Sequence, residues 1–170
     1  MTRIVRHATA ADAAACAEIY APYVRDTAIT FELEPPDAAE FARRIAVATE
    51  RHAWFVLDDD GRVSGYAYSG PFRERAAYRL ACEVSVYLER GLRRSGGGRA
   101  LYSALLARLT ERGFRTAAAG MTLPNEASAG LHRALGFAPV GTFRRVRCKH
   151  DRWHDVAWVQ RELAWERPRD

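Results

Sequence analysis

A chain of 170 residues and 19.1 kDa has room for one domain and little more, because single domains cluster near about 100–150 residues. With 48% hydrophobic and 28% charged residues it can fill a core and cover it, which excludes disordered, collagenous and low-complexity classes. The net charge of +5, carried by 25 arginines and the lone Lys149, favours anionic partners without identifying one, and apolar runs no longer than five residues fall far short of the roughly 20 that span a bilayer.

The opening Arg3-Ile4-Val5-Arg6-His7-Ala8 alternates as a short strand. Thr9 and Asp12, at capping-box spacing, then introduce an alanine-rich helix that Pro22 is expected to end near Tyr20. Pro35-Pro36-Asp37 starts a second helix with Phe41, Ile45 and Ala48 on one face as far as Arg51. Trp54–Leu57 and Val63–Tyr68 flank Asp58-Asp59-Asp60-Gly61 and read as a β-hairpin. In Ala81–Leu88, Cys82, Val84, Val86 and Leu88 face one way and Glu83, Ser85 and Tyr87 the other, as in a strand at the middle of a sheet.

A glycine-rich segment follows, then a helix to about Arg112 with Leu101, Leu105 and Leu109 on its core face. Arg115–Leu123 makes another strand, Pro124-Asn125 a turn, and Ser128–Leu135 a helix that Gly136 stops. Pro139–Cys148 and His154–Leu163 close the chain as strands. The domain is expected over residues 1–165, with 166–170 as a frayed tail. No leader-like segment opens the chain, so the cytoplasm is the expected location.

Cys16, Cys82 and Cys148 are odd in number and contain no CxxC, so no disulfide framework is expected. Cys148, His150 and His154 echo zinc spacing. Residues 148 and 150 would share a strand face, yet nothing completes four ligands, and no metal is expected. Trp54, Trp153 and Trp158 read as core or interface aromatics.

The segment Arg93-Arg94-Ser95-Gly96-Gly97-Gly98-Arg99 joins a strand to a helix, where glycines let backbone N–H groups approach an anion and the helix dipole favours negative charge. It lacks the Gly-Lys-Ser/Thr of a Walker A loop and the third glycine of a dinucleotide fingerprint. What remains is R-x-x-G-x-G, which by itself fits either a pyrophosphate cradle or a glycine-rich surface turn.

The ordered set Glu83-Val84-Ser85-Val86-Tyr87-Leu88, the R-x-x-G-x-G loop and Leu123-Pro124-Asn125-x-x-Ser128-x-x-Leu131-His132-x-x-x-Gly136-Phe137 resembles the GCN5-related N-acetyltransferase (GNAT) superfamily. Gly70-Pro71-Phe72-Arg73-x-Arg75-x-Ala77-Tyr78 and Lys149-His150-x-x-Trp153-His154-Asp155-Val156 further resemble the phosphinothricin and methionine sulfoximine N-acetyltransferases, over about Ile4–Leu163. The resemblance implies a single-domain α/β (α+β) GNAT fold. Its central mixed, mostly antiparallel sheet would splay at an acetyl-CoA site, with helices on both faces. It also implies acetyl transfer to the α-amino group of a small amino-acid analogue.

On that resemblance Arg93, Arg94, Ser95, Gly96, Gly97, Gly98 and Arg99 hold the pyrophosphate of acetyl-CoA. Val86, Tyr87 and Leu88 offer backbone groups to its pantetheine arm and acetyl carbonyl, and Asn125 touches it. Phe31, Arg73, Arg75, Tyr78 and Ser85 line the acceptor pocket. Gly98 is expected to lie open to the ligand. Gly97, where Ile or Leu is usual, should weaken packing at about 1 kcal/mol of helix propensity.

Acetyl transfer needs a deprotonated amine, a stabilised oxyanion and a proton for the thiolate. Glu83, on the polar face of its strand, is the expected general base, directly or through a water. Backbone N–H groups near Val86 could hold the oxyanion. His132 and Tyr102 compete for protonation of the sulfur, and His132 could equally be a packing residue. Arg73-x-Arg75 favours a carboxylate-bearing acceptor over a polyamine, although a protein N-terminus, a lysine or a polyamine remains an alternative acceptor. A basic nucleic-acid-binding module would leave the glycine loop unexplained. A homodimer is expected, with the aromatic C-terminal strand able to serve as its interface.

Overall fold

In the computed structural model residues 2–92 and 94–163 are described; Arg93 and the expected tail 166–170 lie outside them. The elements run β1 (Arg3–His7), α1 (Ala13–Asp26), α2 (Ala38–Arg51), β2 (Trp54–Asp59), β3 (Arg62–Pro71), β4 (Ala81–Leu88), α3 (Gly97–Glu111), β5 (Thr116–Thr122), α4 (Glu126–Ala134), β6 (Ala138–Lys149) and β7 (Arg152–Glu162). The strands form one sheet in the order β1-β2-β3-β4-β5-β7-β6. Every neighbouring pair is antiparallel except β4 and β5. A parallel pair needs a crossover, and α3 supplies it.

The expected α/β fold with a mixed, mostly antiparallel sheet is therefore present, and alternation along its strands sorts two cores. On one face Leu101, Leu105 and Leu109 of α3 pack on Leu57, Ala67, Cys82 and Val84. On the other, Cys16 and Val24 of α1 and Phe41 and Ile45 of α2 meet Trp54, Val56 and Tyr66. Each fully buried leucine contributes about 1.5–3 kcal/mol relative to exposure. Asp60 and Gly61, both at positive φ (51° and 89°), make the β2–β3 turn, whose twist matches the flanking strands. Asp37 caps α2 by accepting from Glu40 N at 2.8 Å.

Pro22 does not end α1; it lies inside the helix, which continues to Asp26. The ring removes one donor to the preceding turn, but tertiary contacts hold the next residues helical. Val24 is buried, and the Tyr23 hydroxyl donates to the Leu88 carbonyl at 2.6 Å. Thr27, in extended backbone, ends the helix instead. His150 also departs from expectation: with Asp151 it forms the positive-φ turn between β6 and β7, so it shares no strand face with Cys148. Within β6 the pairing with β7 slips between Phe143 and Arg147, where Arg145 has φ 46° and its N–H donates to Asp155 Oδ1 at 2.7 Å.

Candidate active site

The parallel ladder between β4 and β5 is short, pairing Ala81, Cys82 and Glu83 with Thr116, Ala117 and Ala118. Beyond Glu83 the strands part: β4 continues alongside β3 to Leu88, while β5 continues alongside β7 to Thr122. The edge of Val84–Leu88 that faces β5 thus opens into a cleft of about 60 Å³, whose walls include Ser85, Val86, Tyr87, Tyr102, Asn125 and His132. Backbone polar groups so exposed need a partner. Thr122 Oγ1, on the same wall, is buried with no hydrogen-bond partner. Such an orphaned hydroxyl fits a ligand that brings its own polar atoms, as an extended pantetheine-like arm does.

At the open end lies the glycine loop. Gly96 is the N-cap of α3 at φ 78°, where its Cβ-free backbone faces open space and a side chain would be strained. Arg94, Ser95, Gly96 and Arg99 are exposed, so two guanidinium groups flank a free helix N-terminus. This donor set suits a pyrophosphate. Arg93, expected in the same cradle, lies outside the described residues.

Two expectations about these glycines are corrected. Gly97 does not weaken the packing; a Cβ there would sit 2.6 Å from Leu57 Cδ2, so its absence lets α3 start against β2. Gly98 is buried, and its Cβ direction is not open space but lies 3.2 Å from Leu131 Cδ2 of α4. In both, the missing Cβ serves close approach of elements, while their N–H groups sit in the first turn of α3.

Asn125 is the N-cap of α4, its carboxamide oxygen accepting from Ser128 N at 3.1 Å, which leaves its NH₂ group for the cleft. His132 Nδ1–H donates to the Ser128 carbonyl at 2.7 Å. That fixes the tautomer: Nε2 carries the lone pair and accepts from the Tyr102 hydroxyl at 3.2 Å. Burial pulls the His132 pKa below its ordinary value, the Ser128 carbonyl partly opposing, and pushes the Tyr102 phenol up. His132 is therefore neutral, and Tyr102 holds the only hydroxyl proton of the pair.

The opposite face of β4 carries Glu83, Ser85 and Tyr87. Glu83 is half-buried, and burial raises its carboxyl above the usual range while Arg147 and Arg73 pull it down. Ser85 pairs in register with Tyr68 and hydrogen-bonds its side chain. Phe31 lies beneath Arg147, whose Cζ is 3.0 Å from the ring centre. Arg73 stacks on Phe72 at 4.2 Å, near Trp158. Phe31, Arg73 and Ser85 thus gather around Glu83. Arg75 and Tyr78 are exposed and lie instead along an adjoining cavity of about 580 Å³, which Tyr68, Gly70 and Arg73 also line. Gly70 is the register partner of Glu83, so this cavity adjoins the strand segment next to it.

Several contributors were not singled out from the sequence. Arg147 acts on the Glu83 carboxyl from a position opposite His154 that the slip in β6 sets. Lys149 is buried, its Nζ donating to the Thr30 carbonyl at 2.9 Å, and so anchors the loop that carries Phe31. Tyr20 donates to Glu32 Oε2 at 2.5 Å, and Arg44 bridges Glu32 and Glu40 at 2.6 and 2.8 Å. Lys149 stood within a recognisable motif, but no local signal marked its partner. Cys148 is exposed, and among the described residues no three His, Cys, Asp or Glu side chains are grouped as metal ligands. Trp54 is core while Trp153 is 64% exposed. No helix among the described residues is long and apolar enough to cross a membrane.

Comparison with known proteins agrees with this geometry. The model of the acetyltransferase (GNAT) domain family matches residues 5–158. The chain is 37% identical over 164 residues to a phosphinothricin N-acetyltransferase of Streptomyces viridochromogenes, covering 96% of this chain and 90% of that protein. It is 32% identical over 170 residues to an L-methionine sulfoximine/L-methionine sulfone acetyltransferase of Salmonella typhimurium, covering 94% of each. Among solved structures, a GNAT-superfamily phosphinothricin acetyltransferase from Sinorhizobium meliloti in complex with acetyl-CoA superposes with a TM-score of 0.91 at 42% identity, over 96% of this chain and 89% of that one.

Proposed function

Since this chain belongs to the GNAT acetyltransferase family and is a phosphinothricin acetyltransferase-like N-acetyltransferase, we propose that it transfers acetyl from acetyl-CoA to the α-amino group of a small amino-acid analogue. The phosphinothricin, methionine sulfoximine and methionine sulfone types are the acceptors in view. What supports this most is the place of Glu83. It is the last residue of β4 paired with β5, at the apex of the splayed cleft, and two arginines face it.

Acetyl-CoA, when bound, supplies an activated acyl carbon; the chain supplies its position and the proton handling. Arg94, Arg99 and the start of α3 hold the pyrophosphate, and the Asn125 amide and the backbone of Val86–Leu88 hold the arm. Glu83 takes the ammonium proton, directly or through one water, so that the amine can attack. Its raised pKa brings it nearer the working range of a general base. Backbone N–H groups near Val86 receive the developing oxyanion. The Tyr102 hydroxyl has one proton, which at rest it gives to His132 Nε2 and which turns to the departing sulfur as charge develops there; its raised pKa keeps that proton on the phenol. Exposed Val140, Phe143, Val146 and Trp153 on β6 and β7 suit a homodimer interface, tested by sedimentation of the native chain against Phe143→Arg.

The test of function is acetyl-CoA-dependent CoA release with amino acids, sulfoximine, sulfone and phosphinate analogues, peptides and polyamines. Selective turnover of the amino-acid analogues is expected. Preference for a peptide or polyamine overturns the assignment.

A further inference from the structure

Around Glu83 the cations are mostly spoken for. Lys149 is spent on the Thr30 carbonyl, Arg44 on Glu32 and Glu40, and Arg73 Nη1 donates to the Phe72 carbonyl at 2.8 Å. Arg147 differs. Among the described residues no carboxylate lies within ion-pair distance of it, and no hydrogen-bond acceptor is assigned to its guanidinium. It is half-buried, and burial lowers its pKa while Glu83 and Tyr87 partly oppose. A desolvated cation without a counter-ion is costly unless a ligand completes it.

Its geometry suits that completion. The β6 slip between Phe143 and Arg147, with Arg145 N–H tied to Asp155 Oδ1, brings Arg147 over Phe31. Stacking engages the flat face of the guanidinium and leaves the N–H edges in its plane free, the edges that grip a carboxylate with two parallel hydrogen bonds.

We propose that Arg147 is a specificity-determining residue of the acceptor pocket, receiving the carboxylate of an amino acid whose amine meets Glu83. This rests on the function proposed above. An amino acid is a zwitterion, and a carboxylate with a guanidinium near enough to act on it is its complement: the ammonium goes to Glu83 and the carboxylate to Arg147. The pair selects α-amino acids over amines that lack an adjacent anion, because such amines leave the Arg147 charge buried and unpaired.

The experiment compares methionine sulfone with its carboxamide as acceptors for the native chain, Arg147→Gln and Arg147→Lys. Native enzyme should favour the acid. Arg147→Gln should raise the KM for the acid by roughly 10–100-fold, as the loss of a charged hydrogen bond predicts, with the amide and the acetyl-CoA KM little changed. Arg147→Lys, which keeps the charge but not the fork, should recover part of the discrimination. Equal use of acid and amide by the native enzyme, or an acid-to-amide ratio unchanged in Arg147→Gln, overturns this inference alone. Acetylation of neither compound overturns the proposed function and this inference together.

Discussion

In the proposed reaction the two faces of the sheet do different chemistry by different means. On the α3 face the expected donors toward acetyl-CoA are mostly backbone: the start of α3, the unpaired edge of Val84–Leu88 and a helix cap at Asn125. On the α1–α2 face, side chains drawn from remote parts of the chain, namely Phe31, Arg73 and Arg147, surround one carboxylate. Backbone recognition is set by fold geometry and tolerates many side chains, whereas the acceptor side is decided residue by residue. Acetyl-donor affinity and acceptor choice should therefore separate under mutation.

The largest separation is expected at Glu83. Glu83→Gln should lower turnover by roughly 10²–10⁴-fold, the usual cost of a lost acid or base, while leaving the acetyl-CoA KM near native. The deficit should shrink as pH approaches the amine's own pKa, where free amine is already present. Measuring kcat/KM against pH in both proteins checks this, and a pH-independent deficit breaks the contrast between the faces.

Tyr102→Phe probes the other face. Removing the hydroxyl takes away a hydrogen bond to the charged sulfur, worth about 1.5–3 kcal/mol or roughly 10–100-fold in turnover. It also leaves buried His132 Nε2 without its donor, which should show as a lower denaturation midpoint. Unaltered turnover with lowered stability would confine Tyr102 to a packing role.

Gly97→Ala tests the packing on which the acetyl-donor side depends. A methyl group directed at Leu57 Cδ2 from 2.6 Å overpacks the junction of α3 and β2, at about 1–3 kcal/mol. Urea unfolding of Gly97→Ala should show that loss, and acetyl-CoA affinity should fall with it while acceptor selectivity stays native. Gly98→Ala, facing a movable Leu131 side chain, should cost less.

The smallest effect concerns charge around Glu83. The charges acting on its carboxyl are Arg147 on β6 and Arg73 after β3, with the Tyr68 phenol and, from across the sheet, the Tyr102 phenol also coupled to it. Burial raises the carboxyl and the arginines lower it, so Arg73→Gln should raise it further. A base active when deprotonated then starts to lose activity sooner as pH falls, and the acid limb of the rate profile moves upward. Arg75→Gln, exposed and with no such link to Glu83, should leave the limb in place. Equal movement in both variants would place Arg75 at the acceptor beside Arg73.

The β2–β3 hairpin, the alternation of β4, the Asp37 cap and the leucine stripe of α3 were all legible because each depends on residues near one another in the chain. The same holds for the glycine loop, whose place between strand and helix follows from its spacing. Pro22 misled because a local rule about donors was overruled by Val24 and Tyr23 finding partners across the fold. Gly97 misled likewise: its reason is Leu57, a neighbour in space only.

What this sequence determined by itself was the order of its elements, the two faces of each central strand and the identity of the carboxylate beside the splay. All three follow from backbone periodicity and from residue chemistry that acts over a few positions. Tertiary structure alone decided which cations face Glu83. The slip in β6 spends four residues, from Phe143 to Arg147, where β7 spends two, which moves Arg147 along the strand without changing its face, and the pleat carries no local mark of where that slip falls. It also decided the proton inventory of the Tyr102–His132 pair, because a tautomer is set by partners: here Ser128, one turn away on α4, and Tyr102, which only the packing of α3 against α4 delivers.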